Sequence, residues 1–94
     1  MFSVKPPARA HPDTALLVVE VSDTTLVRDR EVKLPLFAEA GIPEVWIVNL
    51  VDGVVEVYSA PRGASYRASR RVGPGEPLSP AAFPDVVVDT ADIL

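Results

Sequence analysis

Glu20 is the first residue whose position asks for a chemical explanation, because it interrupts the apolar run LLVVEVS of residues 16–22. An ionised carboxylate inside such a strand costs on the order of several kcal/mol unless it is paired or bound to a metal. Glu20 shares a strand face with Leu16, Val18 and Ser22, and none of them can neutralise it. Glu20 therefore lies at an exposed strand end, pairs with a basic residue, or ligates a metal.

Lys33 is the second such residue, because it shares a predicted helical face with apolar side chains. These are Leu36, Phe37 and Ala40. A lysine on an inward face either extends its methylenes towards solvent or meets a buried carboxylate, and we expect Glu20 to be that partner. Such a pair can serve metal-assisted hydrolysis, in which the carboxylate holds Mg²⁺ and the ammonium stabilises the attacking hydroxide or the phosphate charge. It can equally be a plain salt bridge, and the spacing does not decide between the two.

Three aspartates are weaker candidates. Asp13 follows Pro12 and could ligate a metal, but Pro-Asp is also an ordinary loop pair, and the loop interpretation is favoured. Asp23 and Asp29 are predicted to be caps rather than ligands.

Four arginines lie close together in the second half of the chain: Arg62, Arg67, Arg70 and Arg71. On a hairpin they could contact the phosphate backbone of a nucleic acid. A solvated strand face is the ordinary alternative and is favoured. The net charge of −4 argues against indiscriminate nucleic-acid binding, although a local basic patch matters more than the total.

The first half of the chain predicts a strand and a helix that would place these side chains. Residues 15–22 form a β-branched run that is apolar on both faces, which is typical of a central strand. Residues 28–40 are the only long predicted helix, with Asp29 as its N-cap and Gly41 as its C-terminal stop. Pro35 is an objection, because an internal proline removes a backbone hydrogen bond. The helix either bends at Pro35 or begins its first turn there.

The second half predicts a further apolar strand, a hairpin closed by Asp52-Gly53, a polar edge strand and a proline-rich tail. The predicted strands cover residues 44–50, 54–59, 65–72 and 86–88, and a helical stub follows at 91–94. This order predicts an α/β fold: a mixed sheet with a flanking helix, its first two strands parallel. One helix cannot cover both sheet faces, so we expect a second copy of the chain or a preceding segment to cover the other.

The composition sets outer limits. The 94 residues make one domain at most, which we place at residues 15–94 after an extended lead-in at 1–14. The absence of cysteine excludes disulfides and thiolate metal sites. No apolar run approaches the roughly 20 residues of a membrane-spanning helix, so a cytoplasmic protein without membrane contact is the expectation.

Two stretches carry a resemblance to a known family. LLVVEVSDTTLVRDREVKLPLFAEAGIPEVWIVNL, followed by VEVYSAPRGASYR, resembles the Uma2 family over about residues 15–94. That family is similar in fold to the restriction-endonuclease-like PD-(D/E)XK nucleases, a mixed sheet flanked by helices. The resemblance implies hydrolysis of nucleic-acid phosphodiesters with Mg²⁺, or with Mn²⁺, as cofactor.

The resemblance also implies roles for individual residues. Glu20 matches the acidic residue of the (D/E)XK element, as metal ligand and catalytic residue. Ser22 stands where many such nucleases keep lysine, and Lys33 matches a lysine that has moved to the following helix. Asn49 departs from the acidic residue usual in the W-I-V-D motif.

Family members are about twice this length, so the resemblance implies an N-terminally truncated fold that keeps the C-terminal half. The strand with the first metal-binding aspartate would then be missing, with Asp13 as a replacement ligand or a homodimer as the active form. The alternative is a non-catalytic remnant of the nuclease fold that acts as an interaction or oligomerisation module.

Overall fold

The computed structural model describes residues 2–4, 15–24 and 26–94, which form a five-stranded mixed sheet with one helical segment on one face and a small two-stranded sheet beside it. The strands of the main sheet are β1 (Phe2–Val4), β2 (Leu17–Ser22), β3 (Glu44–Asn49), β4 (Val54–Arg62) and β5 (Ser65–Val72). They are paired in chain order, with β2 and β3 parallel and the other neighbours antiparallel. This arrangement confirms the predicted α/β class and the polar edge strand β5. It also confirms the parallel pairing predicted for the strands before and after the helix, which are β2 and β3. The pairing of β1 with β2, inside the expected lead-in, was not predicted.

The crossover between β2 and β3 is helical but not uniformly α-helical. It consists of α1 (Leu26–Arg28), a π segment (Asp29–Lys33) and α2 (Leu34–Glu39). Pro35 lies in the first turn of α2, where its missing N–H is tolerated, and the widened π turn comes directly before it. Gly41, with φ 74°, ends the helix as predicted, and its N–H donates to the carbonyl of Ala38.

The π segment changes which side chains of α2 face the sheet. Leu36 is 58% exposed and Ala40 is exposed too, so the predicted inward stripe is wrong at these two positions. Ala38 is buried instead, and Leu34 packs with Phe37 against the helix-side core. The physical reason is that a π turn holds more residues than an α turn and rotates the residues that follow it.

Asp29 is not the helix N-cap. Helical residues precede it, and its side chain is buried at 2% exposure, where it accepts a hydrogen bond from the Ser22 hydroxyl. The prediction of an N-cap at Asp29 is wrong because the helix begins three residues earlier, at Leu26.

Apolar clusters lie on both faces of the sheet. The cluster under the helix centres on Val18, Val45 and Ile47. The cluster on the opposite face centres on Trp46, Val55 and Val57 with their neighbours. Each is continuous because side chains alternate along β2, β3 and β4.

The tail covers part of the face away from the helix. It contains β6 (Pro77–Leu78), β7 (Val88–Asp89) and a 3₁₀ turn (Thr90–Asp92). Leu78, at 1% exposure, packs into the Trp46 cluster. The chain's own tail therefore covers part of the face for which a second copy or a preceding segment was expected. An apolar groove of about 380 Å³ remains beside β2, with Val21 half-exposed in its wall.

Candidate active site

Polar side chains collect on the helix side of the sheet, at the carboxyl ends of the parallel strands β2 and β3. Glu20 is paired in register with Ile47, which in turn is paired with Glu56 of β4. The two glutamates therefore lie on one face, two strand spacings or roughly 9.5 Å apart in backbone terms. Ser22 and Asn49 are paired next to them and are fully buried. The carboxyl end of parallel strands is where α/β sheets commonly bind ligands.

The contact predicted between Lys33 and Glu20 is present. Lys33 Nζ lies 3.5 Å from Glu20 Oε2, and the Glu20 residue is 4% exposed. The other oxygen of the carboxylate, Oε1, is buried without a hydrogen-bond partner among residues 15–24 and 26–94. Because a buried carboxylate oxygen is normally satisfied, this atom is the feature of Glu20 that calls for a ligand.

Lys33 serves a second carboxylate as well. Its Nζ lies 3.3 Å from Asp29 Oδ1, while the Ser22 hydroxyl donates to Asp29 Oδ2. The hydrogen bond to Asp29 and the charge of Glu20 raise the pKa of Lys33 above its ordinary value. Lys33 is therefore an ammonium at neutral pH, with nearly half of its side chain open to solvent. It can accept an incoming anion while it still touches both carboxylates.

Glu56 is the centre of a second polar cluster. Arg30 donates to both of its oxygens, from Nε to Oε1 at 2.9 Å and from Nη2 to Oε2. The Tyr58 hydroxyl donates to Oε1 at 2.6 Å and Asn49 Nδ2 to Oε2 at 2.8 Å. Burial opposes ionisation of Glu56, but these hydrogen bonds outweigh it and lower the pKa of the carboxyl. Burial and the bond to Glu56 raise the pKa of Tyr58 to about 12, and the same carboxylate raises that of Arg30.

Asn49 links this cluster to the turn after β3. Its amide also donates to Asp52 Oδ2 at 3.0 Å, and its carbonyl oxygen accepts from the Asp52 backbone N–H. Asn49 thus presents donors to two carboxylates at once, Glu56 and Asp52. This gives the departure from aspartate at this position a physical reason.

The four arginines of the hairpin are all exposed. Arg70 and Arg71 of β5 line a groove of about 480 Å³ together with Arg30, Tyr58 and Ser69, and we name it the arginine groove. The carboxylates of Asp52 and Glu56 also line it. Arg62 and Arg67 lie outside it.

The described residues contain no group of three or more Asp, Glu or His side chains placed to hold a metal ion. Glu20 and Asp29 are close to each other through Lys33, and Glu20 keeps one unpartnered oxygen. Asp13, the other predicted metal ligand, lies outside the described residues.

Arg30 and Glu56 were missed by the sequence analysis. Glu56 has the same sequence feature as Glu20: in VVEVY it is an acidic residue inside an apolar strand. Applied to β4, that criterion would have found it. Arg30 had no comparable sequence feature, because its partner Glu56 is distant in the chain and is brought near only by the folded arrangement of the π segment and β4.

Comparisons with known proteins give one match. The sequence profile of the family described as "Uma2: Putative restriction endonuclease" matches residues 4–91. Neither a curated protein nor a solved structure shows a significant match to the chain. Across residues 2–4, 15–24 and 26–94, no helix has the length and apolar character to cross a membrane.

Proposed function

We propose a nuclease function on the premise that the chain belongs to the Uma2 family of restriction-endonuclease-like proteins. The proposed reaction is metal-dependent hydrolysis of a nucleic-acid phosphodiester, with Glu20 and Lys33 as its catalytic residues. The observation that carries the proposal is the contact between the buried Glu20 carboxylate and the half-exposed Lys33 ammonium.

Lys33 suits the stabilisation of phosphate charge. Its raised pKa keeps it cationic at neutral pH, and its solvent-facing side leaves room for a phosphate oxygen. Asp29, one turn earlier on the same helical segment, contacts the ammonium and is itself held by the Ser22 hydroxyl of β2. An ammonium held in place before the substrate arrives can stabilise the charge that develops on the phosphate at little reorganisation cost.

The donor set fits a magnesium ion that is held in part by substrate and water. Mg²⁺ commonly uses one or two carboxylates and completes its octahedron with waters and substrate phosphates. Glu20 would hold such an ion through its unpartnered oxygen, with Asp29 nearby and Asp13 as a further candidate. A bound Mg²⁺ or Mn²⁺ would supply Lewis-acid polarisation of the phosphate and a more acidic water.

A cleavage assay on labelled single-stranded and duplex DNA and RNA, with Mg²⁺ or Mn²⁺, tests the proposal. Glu20→Gln keeps the side-chain shape but removes the charge, and Lys33→Met keeps the methylenes but removes the ammonium. We expect either change to lower the cleavage rate by about 100-fold or more. Glu31→Gln is the matched control, because Glu31 is exposed on the same π segment and should leave the rate unchanged.

The alternative, a non-catalytic interaction module, gives the opposite outcome in that assay. In that case the purified wild type would show no metal-dependent cleavage, or only cleavage that Glu20→Gln leaves unchanged. Rates that are equal in wild type and both site variants would reject the assigned site. The predicted homodimer can be tested on the same preparation, because sedimentation measures whether the active protein is dimeric.

A further inference from the structure

We infer that Asp29 and Ser22 are positioning residues, which keep the Lys33 ammonium beside Glu20 when the Glu20 carboxylate binds a metal ion. The inference rests on the proposed function for the metal and for the reaction. It gives the two buried acids different roles, with Glu20 as the metal ligand and Asp29 as the residue that holds the ammonium.

One ammonium lies between two buried carboxylates. Lys33 Nζ is 3.3 Å from Asp29 Oδ1 and 3.5 Å from Glu20 Oε2, so the two acids share it. A cation bound by Glu20 would repel this ammonium and would take up the negative charge that attracts it. Asp29 is then the carboxylate that keeps Lys33 near the reacting phosphate.

The oxygen atoms of the two acids differ in what they can offer a metal ion. Glu20 Oε1 is buried and has no hydrogen-bond partner in the part of the chain that the structure describes. Asp29 Oδ2 accepts a hydrogen bond from the Ser22 hydroxyl, and Asp29 Oδ1 lies next to Lys33 Nζ. A metal ion at Asp29 would therefore have to displace the hydroxyl or the ammonium.

The two contacts of the ammonium also depend on different parts of the fold. Asp29 and Lys33 are four residues apart in the π segment, so their contact lies within one element. The contact with Glu20 joins that segment to β2 and depends on the orientation of the Glu20 side chain. Lys33 can thus release Glu20 without leaving Asp29.

Ser22 connects this arrangement to the strand that carries the metal ligand. It lies two residues after Glu20, on the same face of β2, and is fully buried. Its hydroxyl donates to Asp29, so Ser22 acts on the ammonium through Asp29. Because β2 carries both Glu20 and Ser22, it sets the separation between the metal ion and the ammonium.

Binding of Mn²⁺ without nucleic acid, measured by electron paramagnetic resonance, distinguishes a positioning residue from a ligand. Two double variants keep the local net charge of the wild type, because each removes one carboxylate and the ammonium. We expect Asp29→Asn with Lys33→Met to bind Mn²⁺ within about threefold of the wild type, since the local charge is unchanged. Glu20→Gln with Lys33→Met is the matched control and should bind at least about tenfold more weakly, because the ligand itself is missing.

Cleavage kinetics at saturating Mg²⁺ test the role of Ser22. Ser22→Ala removes the hydroxyl, and we expect kcat to fall about tenfold while KM changes less than about threefold, because a misplaced ammonium affects mainly the transition state. Thr90→Val is the control for the loss of a buried hydroxyl as such. The Thr90 hydroxyl contacts two backbone carbonyls in the tail, so its removal should leave kcat unchanged. Urea unfolding confirms that each variant is folded under the assay conditions.

Equal losses of Mn²⁺ binding in the two double variants would make Asp29 a ligand and overturn the inference alone. An unchanged kcat in Ser22→Ala would do the same. A wild type that neither binds Mn²⁺ nor shows metal-dependent cleavage would overturn the proposed function, and the inference with it. If the wild type binds Mn²⁺ without cleaving, the catalytic proposal fails and the two double variants still decide the role of Asp29.

Discussion

Lys33 Nζ lies 3.5 Å from Glu20 Oε2, and this contact ties the helical crossover to the strand that precedes it. The two partners differ in exposure: the Glu20 side chain is 6% exposed and that of Lys33 is 45% exposed. Asp29, on the other side of the ammonium, is also buried. Lys33 therefore compensates the negative charge of two buried carboxylates while its own side chain remains open to solvent. Loss of Lys33 would leave both charges buried without this compensation.

That relationship predicts a coupled effect on stability. Lys33→Met should lower the urea midpoint of unfolding, because it leaves Glu20 and Asp29 buried without their shared cation. Adding Glu20→Gln should restore part of the loss, since one of the two buried charges is then gone. Equilibrium unfolding of the wild type, both single variants and the double variant measures the coupling. Strictly additive effects would show that the contact does not contribute to stability.

The two arginine–carboxylate pairs predict unequal stability effects. Arg30→Met leaves the nearly buried Glu56 without its bidentate partner and should cost about 2 kcal/mol, a value reduced because Arg30 is 38% exposed. Arg71→Met breaks a pair that is about half-exposed on both sides and should cost less than about 1 kcal/mol. Urea unfolding compares the two variants directly. Equal losses would mean that burial of Glu56 does not set the strength of its pair.

The strands were predictable because their patterns are local. The apolar runs around Glu20 and Trp46 fixed β2 and β3, and Asp52-Gly53 fixed the hairpin turn. Gly41 was predictable as a helix stop for the same reason, since a left-handed residue there favours glycine.

The π segment was not predictable from a 3.6-residue period, and this affected the site directly. The expected face of Lys33 included Leu36 and Ala40, both of which are exposed, so the contact with Glu20 was right while its supporting geometry was wrong. The bond between Arg30 and Glu56 depends on register between sequence-distant elements, which no local pattern contains. The packing of Leu78 against the sheet likewise depends on the path of the tail.

The lowered pKa of Glu56 predicts a pH dependence of stability. Its folded pKa lies below the ordinary value of 4.5, so the unfolded chain binds more protons than the folded chain between the two pKa values. Stability therefore decreases as the pH is lowered through that range. The contribution is fully present above about 4.5 and is lost as pH falls through the lower folded pKa. The difference in unfolding free energy between wild type and Glu56→Gln should therefore narrow on acidification below 4.5. A difference that stays constant with pH would contradict the ionised, hydrogen-bonded Glu56.

Asn49 predicts an effect of restoring the acidic residue of the family motif. Asn49→Asp replaces the amide that donates to Glu56 and Asp52 with a third carboxylate, so two hydrogen bonds become repulsive contacts. At neutral pH the fully buried position should lose about 2–3 kcal/mol of stability. The loss should shrink on acidification, because repulsion from the two neighbouring carboxylates and burial both favour the protonated form of the new side chain. Urea unfolding at neutral and acidic pH measures both effects, with Asn49→Ser as a variant that removes the amide without adding charge. A loss in Asn49→Asp that equals the loss in Asn49→Ser at both pH values would show that missing hydrogen bonds, and not charge repulsion, account for the effect.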